Sequence, residues 1–165
     1  MIAGVVVFFA SAACKQPPSP PYHEEDAGTS LGIRYASFYW KTEDDFKRIS
    51  EYFTDKENPG ANVTVRSDTE SRDGLYMILN LESGVVVPAG SVAELRYFHP
   101  RKSGIQHCRW TLPEFNAAPH RELRLGLTGD DWGENLSKKR PPAWQLTVSA
   151  PDGTLLLRRD SYLWR

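Results

Sequence analysis

The chain has 165 residues, which is enough for one folded domain with a short appendage and excludes a multidomain protein. Hydrophobic residues make up 40% of it and aromatic residues 12%, so it can bury a core, and wholesale disorder is excluded. Lys and Arg number 20 against 21 Asp and Glu, a balance unlike the basic composition of dedicated nucleic-acid binders, so no nucleic-acid partner is predicted.

The first 13 residues form an uncharged apolar run that ends in small side chains. They read MIAGVVVFFASAA, and Cys14 follows directly. A helix needs about 20 apolar residues to span a bilayer, whereas the apolar region of a signal peptide needs only about 7–15. The sequence therefore predicts a signal peptide over residues 1–13.

The Ser-Ala-Ala run at 11–13, placed directly before Cys14, resembles the lipobox of bacterial lipoproteins. The resemblance implies that a peptidase removes residues 1–13 and that Cys14 then carries the lipid that attaches the protein to a membrane. It also implies a location in the bacterial cell envelope. The outer membrane is favoured over the inner one, because Lys15 is not the Asp that signals inner-membrane retention. Two alternatives stay open, namely a plain secretory signal cut near Ala13 and an N-terminal core strand that contains a cysteine.

Residues 14–31 are predicted to form a proline-rich tether between the lipid and the body, which spans residues 32–165. Four prolines at positions 17, 18, 20 and 21 precede an acidic patch at 24–26. Proline favours the extended polyproline II conformation at about 3.1 Å per residue, so the tether can hold the body up to about 50 Å from its anchor.

One amphipathic helix is predicted near the start of the body. Thr42 is followed by three acidic residues, as at the capped first turn of a helix. Phe46, Ile49 and Phe53 follow at spacings of three and four and form an apolar stripe. We therefore expect about four helical turns from Glu43 to Lys56, packed on a sheet.

The rest of the body consists of short alternating runs separated by turn residues, with Pro100–Gly104 as the loop of a hairpin. Such runs are typical of an antiparallel β-sandwich or a partly open barrel. Because no helix-length pattern lies between the runs, a parallel sheet is not expected. The predicted strands are Ile33–Trp40, Asn62–Arg66, Leu75–Leu81, Val92–His99, Ile105–Leu112, Leu123–Leu127, Trp144–Val148 and Thr154–Arg158.

The predicted fold class is therefore mainly β, an antiparallel β-sandwich with one N-terminal amphipathic helix. Its architecture is similar to that of immunoglobulin-like or fibronectin-like modules. An α+β fold with a single sheet is the alternative. Trp40, Trp110 and Trp144 fall on apolar faces of their predicted strands and are expected in the core.

The cysteine and histidine patterns do not predict a catalytic residue, a cofactor or a metal site. With lipid on Cys14, Cys108 has no intramolecular disulfide partner. Its neighbour His107 should point to the opposite face of the strand, so Cys108 is expected to be a core residue. The four histidines lack metal-ligand spacing, and His99 is expected to lie opposite Ile105.

The stretch Gly129–Asn135 is the most acidic loop of the sequence. Asp130 and Asp131 lack the spacing of a calcium loop, so a polar turn is expected. Trp132 among these acids is a candidate for stacking on a sugar or a protein partner, and packing of its ring over the sheet edge is the alternative. Asp130, Asp131 and Trp132 are thus the candidate ligand-binding residues.

The sequence contains no nucleophile-elbow, dinucleotide-binding or phosphate-loop motif. It therefore predicts a non-catalytic cell-envelope lipoprotein, held by its lipid, that acts as an interaction or scaffold module for a protein or glycan partner. A carbohydrate- or peptide-binding module is one alternative. A secreted hydrolase without a recognisable motif is the other.

Overall fold

A computed structural model describes residues 31–48, 51–54 and 60–164 of the chain. The predicted signal peptide, Cys14 and the tether up to residue 30 lie outside the described residues. Among the residues that are described, no helix is long and apolar enough to cross a membrane.

The described residues are mainly β. Two single-turn α-helices, α1 (Glu43–Phe46) and α2 (Glu51–Thr54), follow the first strand, and two 3₁₀ turns, Gly129–Asp131 and Glu134–Leu136, follow the eighth. The strands are β1 (Ile33–Lys41), β2 (Val63–Arg66), β3 (Gly74–Leu81), β4 (Val86–Val87), β5 (Val92–Phe98), β6 (Ile105–Thr111), β7 (Phe115–Asn116), β8 (Leu123–Thr128), β9 (Trp144–Ser149) and β10 (Leu155–Asp160).

Two four-stranded sheets form the sandwich-like arrangement that the sequence predicts. The first sheet has the order β1-β3-β8-β2 and the second has the order β10-β9-β5-β6, while β4 and β7 form a separate pair. The pairings are antiparallel except that of β2 with β8, which is parallel. That pair departs from the antiparallel expectation. The chain between β2 and β8 runs through five other strands, β3 to β7, and this long connection lets the two strands lie parallel without a crossover helix.

The core lies between the two sheets, where alternate side chains of each sheet meet. Phe38 of β1 contacts Trp144 of β9 edge to face, with 5.7 Å between the ring centroids. Trp110 and Trp144 are buried as predicted, and Trp40 is half-buried against the same cluster. Other fully buried members are Leu75, Met77, Leu79, Leu95, Tyr97, Leu125, Leu127 and Leu146.

The predicted four-turn helix is two short turns in the structure. Lys47 has extended backbone angles (φ −62°, ψ 126°) and ends α1 after one turn, so Phe46 and Phe53 do not share one stripe. Phe46 is buried on the outer side of β3 against Tyr76 and Ile78, whereas Phe53 is exposed. Residues 49–50 and 55–59 lie outside the described part of the chain.

The β5–β6 hairpin is confirmed, but its register differs by one residue from the predicted one. Phe98, and not His99, lies opposite Ile105. His99 leaves the ladder because its Nδ1 accepts hydrogen bonds from the backbone N–H groups of Arg101 and Lys102, at 3.1 and 3.0 Å. The imidazole thereby closes the turn of the hairpin.

Candidate functional site

Trp132 lies inside the core and not at the surface. Its ring is 0% exposed, its Nε1 donates to the backbone C=O of Leu136 at 3.1 Å, and the rings of His99 and Tyr97 lie 5.1 and 6.2 Å away. The structure therefore matches the packing alternative for this residue. A ring that is closed to solvent has no surface to stack on a sugar or a partner.

The two aspartates before Trp132 do not form an ion site. Asp130 is exposed, and its backbone C=O accepts a hydrogen bond from Lys102 Nζ at 2.9 Å. Asp131 is half-buried and lies at the first 3₁₀ turn. Among the described residues, no group of three or more His, Cys, Asp or Glu side chains is placed to hold a metal ion.

Cys108 and His107 lie on opposite faces of β6, as strand geometry predicts. Cys108 is buried in the core, and burial raises the pKa of its thiol to about 12, so the thiolate that a nucleophile needs is disfavoured. His107 is exposed on the outer side of the sheet. His99 is buried at the end of β5, where burial lowers the pKa of its imidazole and the charges of Lys102 and Arg101 lower it further.

The outer face of the second sheet carries two rows of mainly polar side chains that cross all four strands. The rows are Asp160–Gln145–Arg96–His107 and Arg158–Thr147–Glu94–Arg109. Arg96 Nη1 lies 3.5 Å from Gln145 Oε1 and donates to it. The carboxylate of Glu94 lies 3.6 Å from His107 Nδ1 and 3.5 Å from Arg109 Nε. We refer to these eight residues as the polar rows.

An apolar ridge adjoins the polar rows at one end of this sheet. It consists of Phe98 and Ile105, which are register neighbours, and Trp164, whose ring centroid lies 5.8 Å from that of Phe98. Phe98 is 41% and Ile105 39% exposed. The ring of Trp164 also lies 5.5 Å from the guanidinium carbon of Arg96, which joins the ridge to the polar rows by a cation–π contact.

The ridge and Leu31, the first described residue, lie at opposite ends of the second sheet. Leu31 donates its N–H to the C=O of Leu156, at the start of β10. Ser161, just beyond the end of β10, donates its N–H to the C=O of Trp144, and Trp164 follows three residues later. A strand of six residues is about 17 Å long, so roughly that distance separates the two ends.

The chain matches no protein-family model, no curated protein and no solved structure. The geometry of the described residues is therefore what points to a function. A surface that combines guanidinium groups, carboxylates and exposed apolar side chains can recognise a partner through hydrogen bonds, charge and apolar contact.

The apolar ridge and the polar rows are not among the sites predicted from the sequence. Their residues come from β5, β6, β9, β10 and the segment after β10, and only the register of these strands brings them together. A local signal did exist, because alternation along each strand leaves Glu94, Arg96, His107 and Arg109 on the side opposite the core.

Proposed function

We propose that this protein is a bacterial cell-envelope lipoprotein whose β-sandwich body is a non-catalytic interaction module. Cys14 carries the lipid anchor, the outer membrane is the favoured site of attachment, and residues 14–31 form the tether. The body binds a protein partner through the apolar ridge and the polar rows beside it.

The anchor is supported by the order of the N-terminal residues, an apolar run, small side chains and then a cysteine. Each buried methylene contributes about 0.8 kcal/mol to membrane attachment, and stable anchoring takes more than one acyl chain. A lipidated Cys14 followed by a proline-rich tether would keep the body in water close to the membrane.

The observation that carries the interaction role is the exposed ridge at the end of the body opposite Leu31. Exposed apolar side chains that are contiguous and bordered by polar groups are typical of protein interaction sites, and Trp and Arg are common among the residues that dominate binding. A body tethered near Leu31 can present this end away from the membrane. The burial of Cys108 argues against this thiol as a nucleophile.

Carbohydrate binding is the second candidate, and the exposed aromatic rings favour it. Trp164 and Phe98 lie beside Arg96, whose guanidinium is a hydrogen-bond donor next to the ring faces. Retention on a glycan array that is lost in Trp164→Ala but kept in the ring-conserving Trp164→Phe would favour this function. An array on which the wild-type protein binds no glycan would count against it.

The anchor is tested by matched substitutions of the two cysteines in a bacterial host that is fed a labelled fatty acid. Cys14→Ser should abolish the acyl label and move the protein to the soluble fraction. Cys108→Ser, the same change at the buried cysteine, should keep both the label and the membrane attachment. Membrane retention and labelling of Cys14→Ser would contradict the proposed anchor.

The interaction surface is tested by site-specific photocrosslinking in cells. A crosslinker at Ile105 on the ridge should give a discrete adduct that weakens when Trp164 is changed to Ala. A crosslinker at Val86, an exposed residue of the separate β4–β7 pair, is the matched control and should give none. Equal adducts at both positions, or adducts at neither, would contradict the assignment of the surface.

A further inference from the structure

We propose that the free edge of β6 binds an acidic, extended segment of a partner protein, which adds to the second sheet as a fifth strand. This inference rests on the proposed function, because it specifies how the interaction module holds its partner. Strand addition supplies affinity through main-chain hydrogen bonds and specificity through alternate side chains.

Among the described residues, one side of the β6 backbone pairs with β5, and the other side lies near β2 of the first sheet but forms no strand pairing with it. Within that part of the chain β6 pairs with β5 alone, and their antiparallel register is unbroken over seven pairs. Leu112 exchanges backbone hydrogen bonds with the segment before β5, donating to Ser91 and accepting from Gly90. Because hydrogen-bonding direction alternates along an antiparallel strand, the N–H and C=O groups of the odd-numbered residues 105–111 face away from β5.

The other three sheet edges are less suited to accept a strand. The registers of β1 and β10 are each interrupted by an irregularity, at Ile33/Tyr35 and at Leu155/Leu157. Leu31 also bonds to Leu156, where these two edges approach each other. The remaining edge strand, β2, has only four residues. Bulges and short edge strands are the devices by which proteins protect edges from pairing, and the described length of β6 shows neither.

The charge along β6 specifies the partner. The odd-numbered residues of β6 direct their side chains to the outer face, where His107 is 53% and Arg109 67% exposed. The acidic group paired with both side chains is the single carboxylate of Glu94. A strand placed beyond β6 would set its alternate side chains directly across from His107 and Arg109. A carboxylate there would face the opposite charge of Arg109, which is stabilising across strands, and could accept a hydrogen bond from the imidazole of His107. Acidic residues at two alternate positions therefore fit this edge.

The test uses the full chain carrying Cys14→Ser and two labelled synthetic heptapeptides, TVEVEVT and TVKVKVT, in fluorescence anisotropy. We expect the glutamate peptide to bind about ten times more tightly than the lysine peptide, and Arg109→Glu to reverse this preference. Arg109→Pro removes one outward N–H without removing a β5–β6 hydrogen bond, and should weaken binding of the glutamate peptide at least tenfold. Val86→Pro is the control, because Val86 is an exposed strand residue of the separate β4–β7 pair, outside the ridge and the polar rows, and it should change binding less than twofold.

Amide hydrogen exchange followed by NMR separates strand addition from simple charge attraction. On binding of the glutamate peptide, exchange of the outward amides of His107 and Arg109 should slow, whereas that of Cys108, whose N–H faces β5, should stay the same. If Arg109→Pro fails to fold by circular dichroism, the reversal by Arg109→Glu and the exchange pattern decide the question.

Three results would overturn the inference: no binding of either peptide, equal losses in Arg109→Pro and Val86→Pro, or exchange unchanged at His107 and Arg109. Failure here is distinguishable from failure of the proposed function. A ridge-specific crosslink at Ile105 that persists without peptide binding would leave the interaction module intact and remove only strand addition.

Discussion

Truncating Trp132 tests whether this ring stabilises the fold or contacts a ligand. The side chain is 0% exposed and is held by the Leu136 carbonyl and by two neighbouring rings. Removal of a buried aromatic side chain costs about 3–5 kcal/mol, and the unfolding entropy of a domain of about 130 residues is about 0.27 kcal/mol/K. Trp132→Ala should therefore lower Tm by about 11–18 °C.

Differential scanning calorimetry of the full chain carrying Cys14→Ser, with Trp132→Ala, Trp132→Phe and Trp164→Ala added separately, provides the measurement. Trp132→Phe keeps a ring but loses the Nε1 hydrogen bond to the Leu136 carbonyl, which still accepts from the backbone N–H of Lys139, so this loss costs about 0.5–1.5 kcal/mol, or about 2–5 °C. Trp164→Ala is the matched control, because this ring is only half-buried, and its loss should be clearly smaller than that of Trp132→Ala. A Tm for Trp132→Ala within about 2 °C of the parent protein, which is the range of an exposed substitution, would refute the assignment to the core.

The remaining predictions concern a histidine, a thiol and a glycine. Because the pKa of His99 is lowered in the folded state, the unfolded chain takes up this proton at a higher pH than the folded chain does. The free energy of unfolding should therefore fall as the pH drops below about 6.5. Urea titrations should show a weaker fall in His99→Gln. The thiol of Cys108, with a pKa raised to about 12, should resist iodoacetamide at pH 8 until urea unfolds the protein, and rapid labelling of the native state would contradict its burial. A Cβ at Gly126 would lie 2.5 Å from the buried ring of Tyr76, so Gly126→Ala should cost about 1–3 kcal/mol by urea unfolding. Gly133→Ala, whose Cβ has its nearest neighbour at 3.6 Å, is the control and should cost less than Gly126→Ala.

The strands were predictable because burial of one face imposes a period of two on the sequence. Leu75, Met77 and Leu79 alternate in this way, and they lie in the core. The helix was only partly predictable, since the apolar spacing of Phe46 and Phe53 continues past the residue, Lys47, at which the backbone leaves the helix. Local patterns also carry no information on partners far apart in the chain, so the parallel pairing of β2 with β8 could not be predicted from them.

The candidate surface could not be predicted for the same reason. Arg96, Gln145 and Asp160 belong to three strands, and only register makes them one row. For the tryptophans, the polar loop around Trp132 left both stacking on a ligand and packing over the sheet open, and the structure places its ring in the core. Trp164 packs on the outer face of the second sheet beside Phe98. Composition of a loop therefore does not determine which way its aromatic side chain points.

The most direct test of the proposed function is the intact mass of the N-terminal peptide from protein extracted from the membranes of a bacterial host. We expect a first residue at Cys14 and a mass raised by its acyl chains. A peptide that begins at Met1 and carries no lipid, recovered from the soluble fraction, would contradict it.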